Sequence, residues 1–394
     1  MYYFCQMQLI LVDNKALERV FLDIPFSIYA NDPVWIPHLE SDICKTFDAE
    51  KNKLLKEGEA KRWVLKDDHG KYIGRIAAFI NPKTRNWNGI QVGGLGFFEC
   101  THSQQAANLL FDVATDWLKE KGMQAVDGPI NLGERDAFWG LLVDGFSEPM
   151  YRANYNPPYY AELFEKYGFQ LFFRQFTYYR DTREPLSSVI LQRAEKVLNN
   201  SRITFQMAKK NRLKEFGEFF RTVYNEAWAK HQNVGTMTSE RAQAIMKAIR
   251  PIMDERLLWF AFEGDRPIAF SLMLPDINTM LRKNKGKFGI FQKLKLLWDL
   301  RTGKAERIFG VIFGIVPDFQ GQGMESALAV TLEREKAKAP ILPYQSLEMN
   351  WIGDFNPKMM KVAEMVGGKI FKEHRTFRLI FEESIEFERE KEIL

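Results

Sequence analysis

The stretch with the most specific chemistry is Phe309–Leu328, FGVIFGIVPDFQGQGMESAL. An apolar run ends at Val316-Pro317, a short loop Gln320-Gly321-Gln322-Gly323 follows, and a helical pattern begins. Glycines let backbone N–H groups point outward with no Cβ in the way. The first helical turn adds unpaired donors and the positive end of its dipole. A loop of this kind holds a diphosphate without a lysine or a metal. The alternative is an ordinary strand-to-helix turn. A second glycine cluster, Gly93-Gly94-Leu95-Gly96, lies within a strand pattern, and Glu99 stands where a dinucleotide fingerprint needs its third glycine. It reads as a bulge or a close strand approach.

Proton-transfer groups are sparser. Glu348 and Asn350 share one face of the strand pattern Gln345–Ile352, and Asp354 follows. Glu348 is a candidate base, with a structural carboxylate as the other reading. Tyr155, Tyr159 and Tyr160 either line an acceptor pocket and supply a proton, Tyr159 above all, or pack a core. The turn-rich stretch Gly128–Phe146 offers Asn131, Glu134, Arg135 and Asp136 as acceptor-binding groups, or else is an ordered loop. The five histidines show no HxH or HExxH spacing and the three cysteines no CxxC pair, so no metal site or disulfide framework is expected.

The elements that must position these residues repeat. A strand, a helix after it, a hairpin and a further strand, and an amphipathic helix opened by Ser103 fill the first half. The second half runs in the same order: strand Ile203–Ala208, helix Leu213–Lys230, hairpin around Gly264-Asp265-Arg266, strand Glu306–Pro317 and helix Gly323–Lys338. Strand Gln345–Ile352, helix Pro357–Val366 and strand Lys369–Phe381 complete it. The order predicts a mixed α/β architecture built by duplication: residues 1–181, a linker helix within 182–202 with Val189, Leu191, Ala194 and Leu198 at helical spacing, and residues 203–394.

The segment at 309–328 resembles the pyrophosphate loop of the GNAT superfamily of acyl-CoA-dependent N-acyltransferases: an apolar strand, Val-x-Pro, then Gln-x-x-Gly-x-Gly/Ala opening a helix. Gln320, Gly321, Gln322, Gly323 and Met324 match, and Glu325 replaces a small residue. The resemblance implies two tandem modules, each a mixed central sheet flanked by helices. It implies binding of acetyl-CoA or another acyl-CoA by Ile315, Val316, Gln320, Gly321, Gln322, Gly323, Met324 and Ser326, with Asn350 and Asn356 downstream. The tyrosine that many members carry as acid falls at Ala363. In the first half, YNPPYYAELFEKYGF (155–169) resembles the family's Asn…Tyr…Gly-Phe ending through Asn156, Tyr159, Tyr160, Gly168 and Phe169, but Thr101–Ala106 lacks the loop glycines. The first module is therefore expected to be degenerate, with Asn131, Glu134, Tyr155 and Asn156 contacting the acceptor.

The implied activity is transfer of an acyl group, acetyl first, to a small-molecule amine or amino-acid-like acceptor by direct attack in a ternary complex. The alternatives are a degenerate acyl-CoA-binding or regulatory module, or a long-chain N-acyltransferase fed by an acyl-carrier protein. The segment Arg282–Arg307 carries nine basic and two acidic residues among Phe288, Ile290, Phe291, Leu294, Leu297 and Trp298. It fits an acidic carrier protein, an anionic membrane or its own domain. A net charge of +4 argues against a nucleic-acid binder. No apolar run approaches the ~20 residues of a membrane span. The first residues lack a basic leader and cleavage site, so a cytoplasmic chain is expected. Thirty-two phenylalanines call for a large core or a ring-walled cleft.

Overall fold

The computed structural model describes residues 7–133, 135–228, 235–338 and 343–393. The first half contains β1 (Gln8–Leu11), α1 (Lys15–Ile28), α2 (Glu40–Thr46), β2 (Glu59–Lys66), β3 (Tyr72–Ile80) and the short β4 (Asn86–Trp87). It continues with β5 (Ile90–Cys100), α3 (Gln104–Glu120), β6 (Ala125–Gly128), β7 (Leu141–Asp144), α4 (Tyr160–Tyr167) and β8 (Gln170–Asp181). After α5 (Ser188–Leu198) come β9 (Ile203–Met207), α6 (Leu213–Trp228), α7 (Ser239–Ile249), β10 (Leu258–Glu263) and β11 (Arg266–Pro275). An insert carries α8 (Asn278–Leu281) and α9 (Ile290–Arg301). The chain ends with β12 (Arg307–Ile315), α10 (Met324–Lys338), β13 (Ser346–Gly353), α11 (Pro357–Met365) and β14 (Lys369–Ile380).

Local chemistry starts the helices where the sequence marks them. Ser103 accepts from the Ala106 N–H to cap α3, Ser187 caps α5 through Ile190, and Asn356 caps α11 through Met359. Alternation then sorts the strands between two faces. Trp63 and Leu65 of β2 and Ile76 and Ala78 of β3 join Leu110 and Ala114 of α3, whereas Val64 and Ala77 meet Phe21 and Ile24 of α1. Strands buried on both faces need apolar residues in succession.

The strands join in one sheet, ordered β1-β2-β3-β5-β6-β14-β8-β13-β12-β11-β10-β9, with β4 paired to β5 and β7 paired to β14 off this path. Two pairs are parallel, β5 with β6 and β12 with β13, and each brackets one helix, α3 or α10. The half-sheets are fused by exchange. β8, the last strand of the first half, lies between β13 and β14; β14, the last strand of the second, lies between β6 and β8.

One register differs from the sequence expectation. The buried face of α5 is Ile190, Ala194 and Val197, while Val189 and Leu191 are exposed. Positions i, i+4 and i+7 form one stripe, and this stripe packs against α10 and the core of the second half.

Candidate active site

The site begins where two central strands part. β12 pairs with β13 only from Arg307↔Ser346 to Gly310↔Met349. Beyond that point β12 keeps only β11 as a neighbour among the described residues, and β13 continues against β8 at Ile352↔Phe176. The backbone groups facing the wedge have no strand partner among those residues. Phe309–Phe313 and Met349–Trp351 are accordingly half-buried, although they sit mid-sheet.

At the far end of β12 the chain turns through Pro317–Phe319 into the glycine loop. Gly321 has φ +71° and open space where a Cβ would stand. Gly323 has φ +88°, and a Cβ there would lie 2.5 Å from the Arg193 carbonyl oxygen of α5. Glycine is required at 323 for close packing as well as for backbone freedom. The N–H groups from Gly321 to Ser326 have no acceptor among the described residues, since the first bond of this turn runs from Ala327 N–H to the Gly323 carbonyl. The buried Ser326 hydroxyl is likewise unpartnered. A run of donors at a helix N-terminus beside an orphan hydroxyl suits a diphosphate.

Facing the wedge is a narrow cavity of about 30 Å³, lined from both halves. β13 contributes Glu348, Asn350 and Trp351, β14 contributes His374, and the first half contributes Arg135–Trp139 and Met150–Asn154. The buried Lys372 ammonium donates to Glu348 Oε1 at 2.6 Å and to the Glu148 carbonyl at 3.0 Å. Burial pushes the Glu348 carboxyl up and the Lys372 ammonium down, and their mutual attraction opposes both shifts. His374 Nε2 lies 3.0 Å from the Asn154 carbonyl, which accepts only; Nε2 therefore carries the proton and Nδ1 the lone pair. Burial lowers the His374 pKa to about 4, so the imidazole is neutral at pH 7.

The cavity wall also holds Trp139 Nε1 and Arg152 Nε, buried donors without protein acceptors. Phe138 and Arg152 both have positive φ, 51° and 65°, and the Phe138 N–H donates to the Arg152 carbonyl at 2.9 Å. Left-handed backbone at bulky residues costs on the order of 1 kcal/mol each and collects at functional sites.

No protein-family model matches the chain. A bacterial ceramide synthase of Caulobacter vibrioides is 25% identical over 369 residues, covering 93% of this chain and 95% of that protein. A tandem GNAT protein from the clavulanic acid biosynthesis pathway superposes with a TM-score of 0.53 at 9% identity, covering 96% of this chain and 99% of that one. A GCN5-related glucosamine N-acetyltransferase region of a fungal multi-domain β-N-acetylglucosaminidase gives 0.55 at 16%, covering 95% of this chain and 38% of that longer chain. The chain has a GNAT-like acyltransferase fold in tandem form.

Within the GNAT-like frame, the wedge and loop gather part of what the sequence singled out. Gly321, Gly323, Met324 and Ser326 meet at the start of α10, and Glu348 and Asn350 line the cavity. Ile315 and Val316 end β12, where the Ile315 carbonyl accepts from Gln320 Nε2 at 3.0 Å and the Val316 N–H donates to Ile268. Gln322 Nε2 donates to the Asp318 carbonyl, and the Asn356 side chain is spent on capping α11.

Tyr159, Asn156, Tyr155 and Asn131, expected at the site from the first half, are not brought to this cavity. Tyr159 donates to the Cys100 carbonyl at 2.8 Å and stacks on His102, so it stands in the first-half core region and cannot serve as an acid beside Glu348. Asn156 brackets Leu142, accepting from its N–H and donating to its carbonyl. Tyr155 lines a different cavity and donates to Asp32. Asn131 is buried with its Oδ1 unpartnered and does not line the cavity, and Glu134 falls outside the described residues. Arg135 and Asp136 do line it.

Sequence reading missed Lys372 and His374. The available signal was the reversed alternation of β14, in which Lys372, His374, Thr376 and Arg378 occupy the buried positions. Polar groups at the inward period of a strand need partners and mark a site or an ion-pair ladder.

Proposed function

We propose that this chain is an N-acyltransferase carrying an acyl group from acyl-CoA to an amine by direct attack in a ternary complex. The carrying observation is the wedge between β12 and β13, with unpartnered donors at Gly321–Ser326 at one end and the Glu348–His374 cavity facing it. In this reading residues 203–394 hold the coenzyme, 1–181 supply most of the acceptor wall, and 182–202 join them. The pyrophosphate takes the N–H groups of the loop and the Ser326 hydroxyl, and the pantetheine amides take the free edges of the wedge as an added strand would.

The chemistry asks little more of the chain. Glu348 is held by Lys372 through Oε1, leaving its second oxygen to receive the substrate ammonium. His374 Nδ1 takes the proton that the attacking nitrogen must lose. The tetrahedral oxyanion is met by backbone N–H groups at the wedge.

For the donor, the loop alone favours acetyl-CoA. The homology to a ceramide synthase favours a fatty acyl-CoA and a lipid-like amine, and we take the second. The test is release of free thiol from acetyl-CoA and palmitoyl-CoA across short amines and long-chain amino alcohols. Release with the long-chain pair is expected. No release above background with any pair, together with no heat of acyl-CoA binding, would mean a degenerate binding module. His374→Asn should depress kcat with little change in acyl-CoA affinity.

A further inference from the structure

Helix α9 presents a face that the protein leaves uncovered. Ile290, Phe291, Leu294 and Trp298 are 64%, 81%, 57% and 65% exposed. At ~100° per residue these four fall within about 100° of arc. The opposite face is anchored: Leu296 is buried with Leu39, Ile277 and Leu281, and Tyr151, which lines the cavity, packs on the same cluster. Asp299 is buried and holds Lys295 and Lys304. Exposed Lys283, Lys285 and Lys287 precede the helix, exposed Lys293 and Arg301 lie on it, and none of the five has an acidic partner among the described residues.

We propose that α9 is an interfacial helix that seats this chain on an anionic lipid bilayer, with the apolar face among the acyl chains and the lysines at the phosphates. Phenyl and indole rings bounded by long cationic side chains match the depth profile of a bilayer surface, where rings enter the headgroup boundary and cations snorkel to it. A carrier protein would satisfy the lysines but would have to provide a groove for four bulky side chains. No helix among the described residues is long and apolar enough to cross a membrane, so the contact is lateral. The seat lies one layer of side chains from the cavity, where a lipid-like amine would enter. The proposal does not depend on the acyl-transfer reading.

The experiment is co-sedimentation of the full chain with vesicles of phosphatidylcholine alone and of phosphatidylcholine with about 30 mol% phosphatidylglycerol. Partition onto the anionic vesicles should be at least about tenfold stronger. Phe291→Ser with Trp298→Ser should abolish it while leaving circular dichroism and melting unchanged. Lys285→Glu with Lys293→Glu should weaken it by about fivefold or more per charge. Equal partition onto both vesicles, or unchanged partition of the Phe291/Trp298 variant, overturns the proposal. So does binding to acyl-carrier protein, lost in the same variant, without binding to vesicles. Vesicle binding with no thiol release from any donor would sink the acyl-transfer reading and leave this one standing.

Discussion

The two parallel strand pairs occupy equivalent places in the two halves, yet one is sealed and the other open. β5 leaves β6 after Gly94↔Asp127, as β12 leaves β13 after Gly310↔Met349. In the first half the chain turns back into the gap. The Ile130 N–H bonds the Leu95 carbonyl at 2.8 Å, and Gly96 makes room for it, since a Cβ there would lie 1.9 Å from the Ile130 oxygen. Leu95, Phe98 and Cys100 are buried as a result. Glu99 is enclosed by Tyr29 and Tyr160, each donating to its Oε2, and by Arg75. In the second half β13 runs straight on, and the wedge stays open. Parting of a parallel pair thus creates a site only when the following segment does not return to fill it.

The sharpest way to break this comparison is to disturb the seal. Gly96→Ala should destabilise the chain by more than about 4 kcal/mol, because carbonyl backbone cannot retreat from the new methyl. Gly310→Ala at the last paired position before the open wedge, where the nearest atoms stand at 3.3 and 3.4 Å, should cost under about 1 kcal/mol. Urea unfolding of both variants decides it; similar losses would remove the distinction.

Next in size is the ion pair beside the open cavity. Lys372→Met strands a buried carboxylate and should cost about 3–5 kcal/mol, and adding Glu348→Gln should restore much of it. Failure of the second change to rescue would show that Glu348 is not held by that lysine.

The pH response follows from His374. Its pKa falls from about 6.5 unfolded to about 4 folded, so between those values the unfolded chain binds a proton that the native chain refuses. Stability therefore falls as pH drops through this window, by on the order of 3 kcal/mol at the low end. His374→Asn should flatten that part of the acid limb; identical slopes for variant and wild type would count against a buried neutral imidazole.

The smallest effect contrasts the two loops. Gly321→Glu should weaken acyl-CoA binding by about 2 kcal/mol, roughly thirtyfold, by setting a carboxylate among the phosphate donors. Thr101→Glu, three residues before α3 as Gly321 is three before α10, should leave that binding unchanged. Titration calorimetry separates them. Gly323 is the wrong position for this test, because any side chain there collides with the linker helix.

Much of the fold was legible because its signals are short-range. Ser103 announced a helix start, the turn at Gly264-Asp265-Arg266 announced a hairpin, and Gly321 and Gly323 announced a donor-rich turn. The candidate site was legible in its loop, in Glu348 and Asn350, and in Arg135 and Asp136. Tyr155, Tyr159 and Asn156 have the residue types of a site, yet the strands that carry or bond them lie in the sealed half. Lys372 and His374 were not singled out, because their place depends on the enclosure of β14 by β6 and β8, which is set by strands distant in sequence.

By itself, then, the sequence determined the element order and the glycine loop, both of which rest on interactions between neighbours along the chain. The tertiary structure alone decided the exchange of β8 and β14, the sealing of one wedge and the union of Arg152 with Glu348 and His374 around one cavity. Those outcomes depend on backbone pairings such as Glu348↔Tyr179, far apart in sequence. Period-2 alternation specifies which face a residue takes, but not which strand will lie beside it.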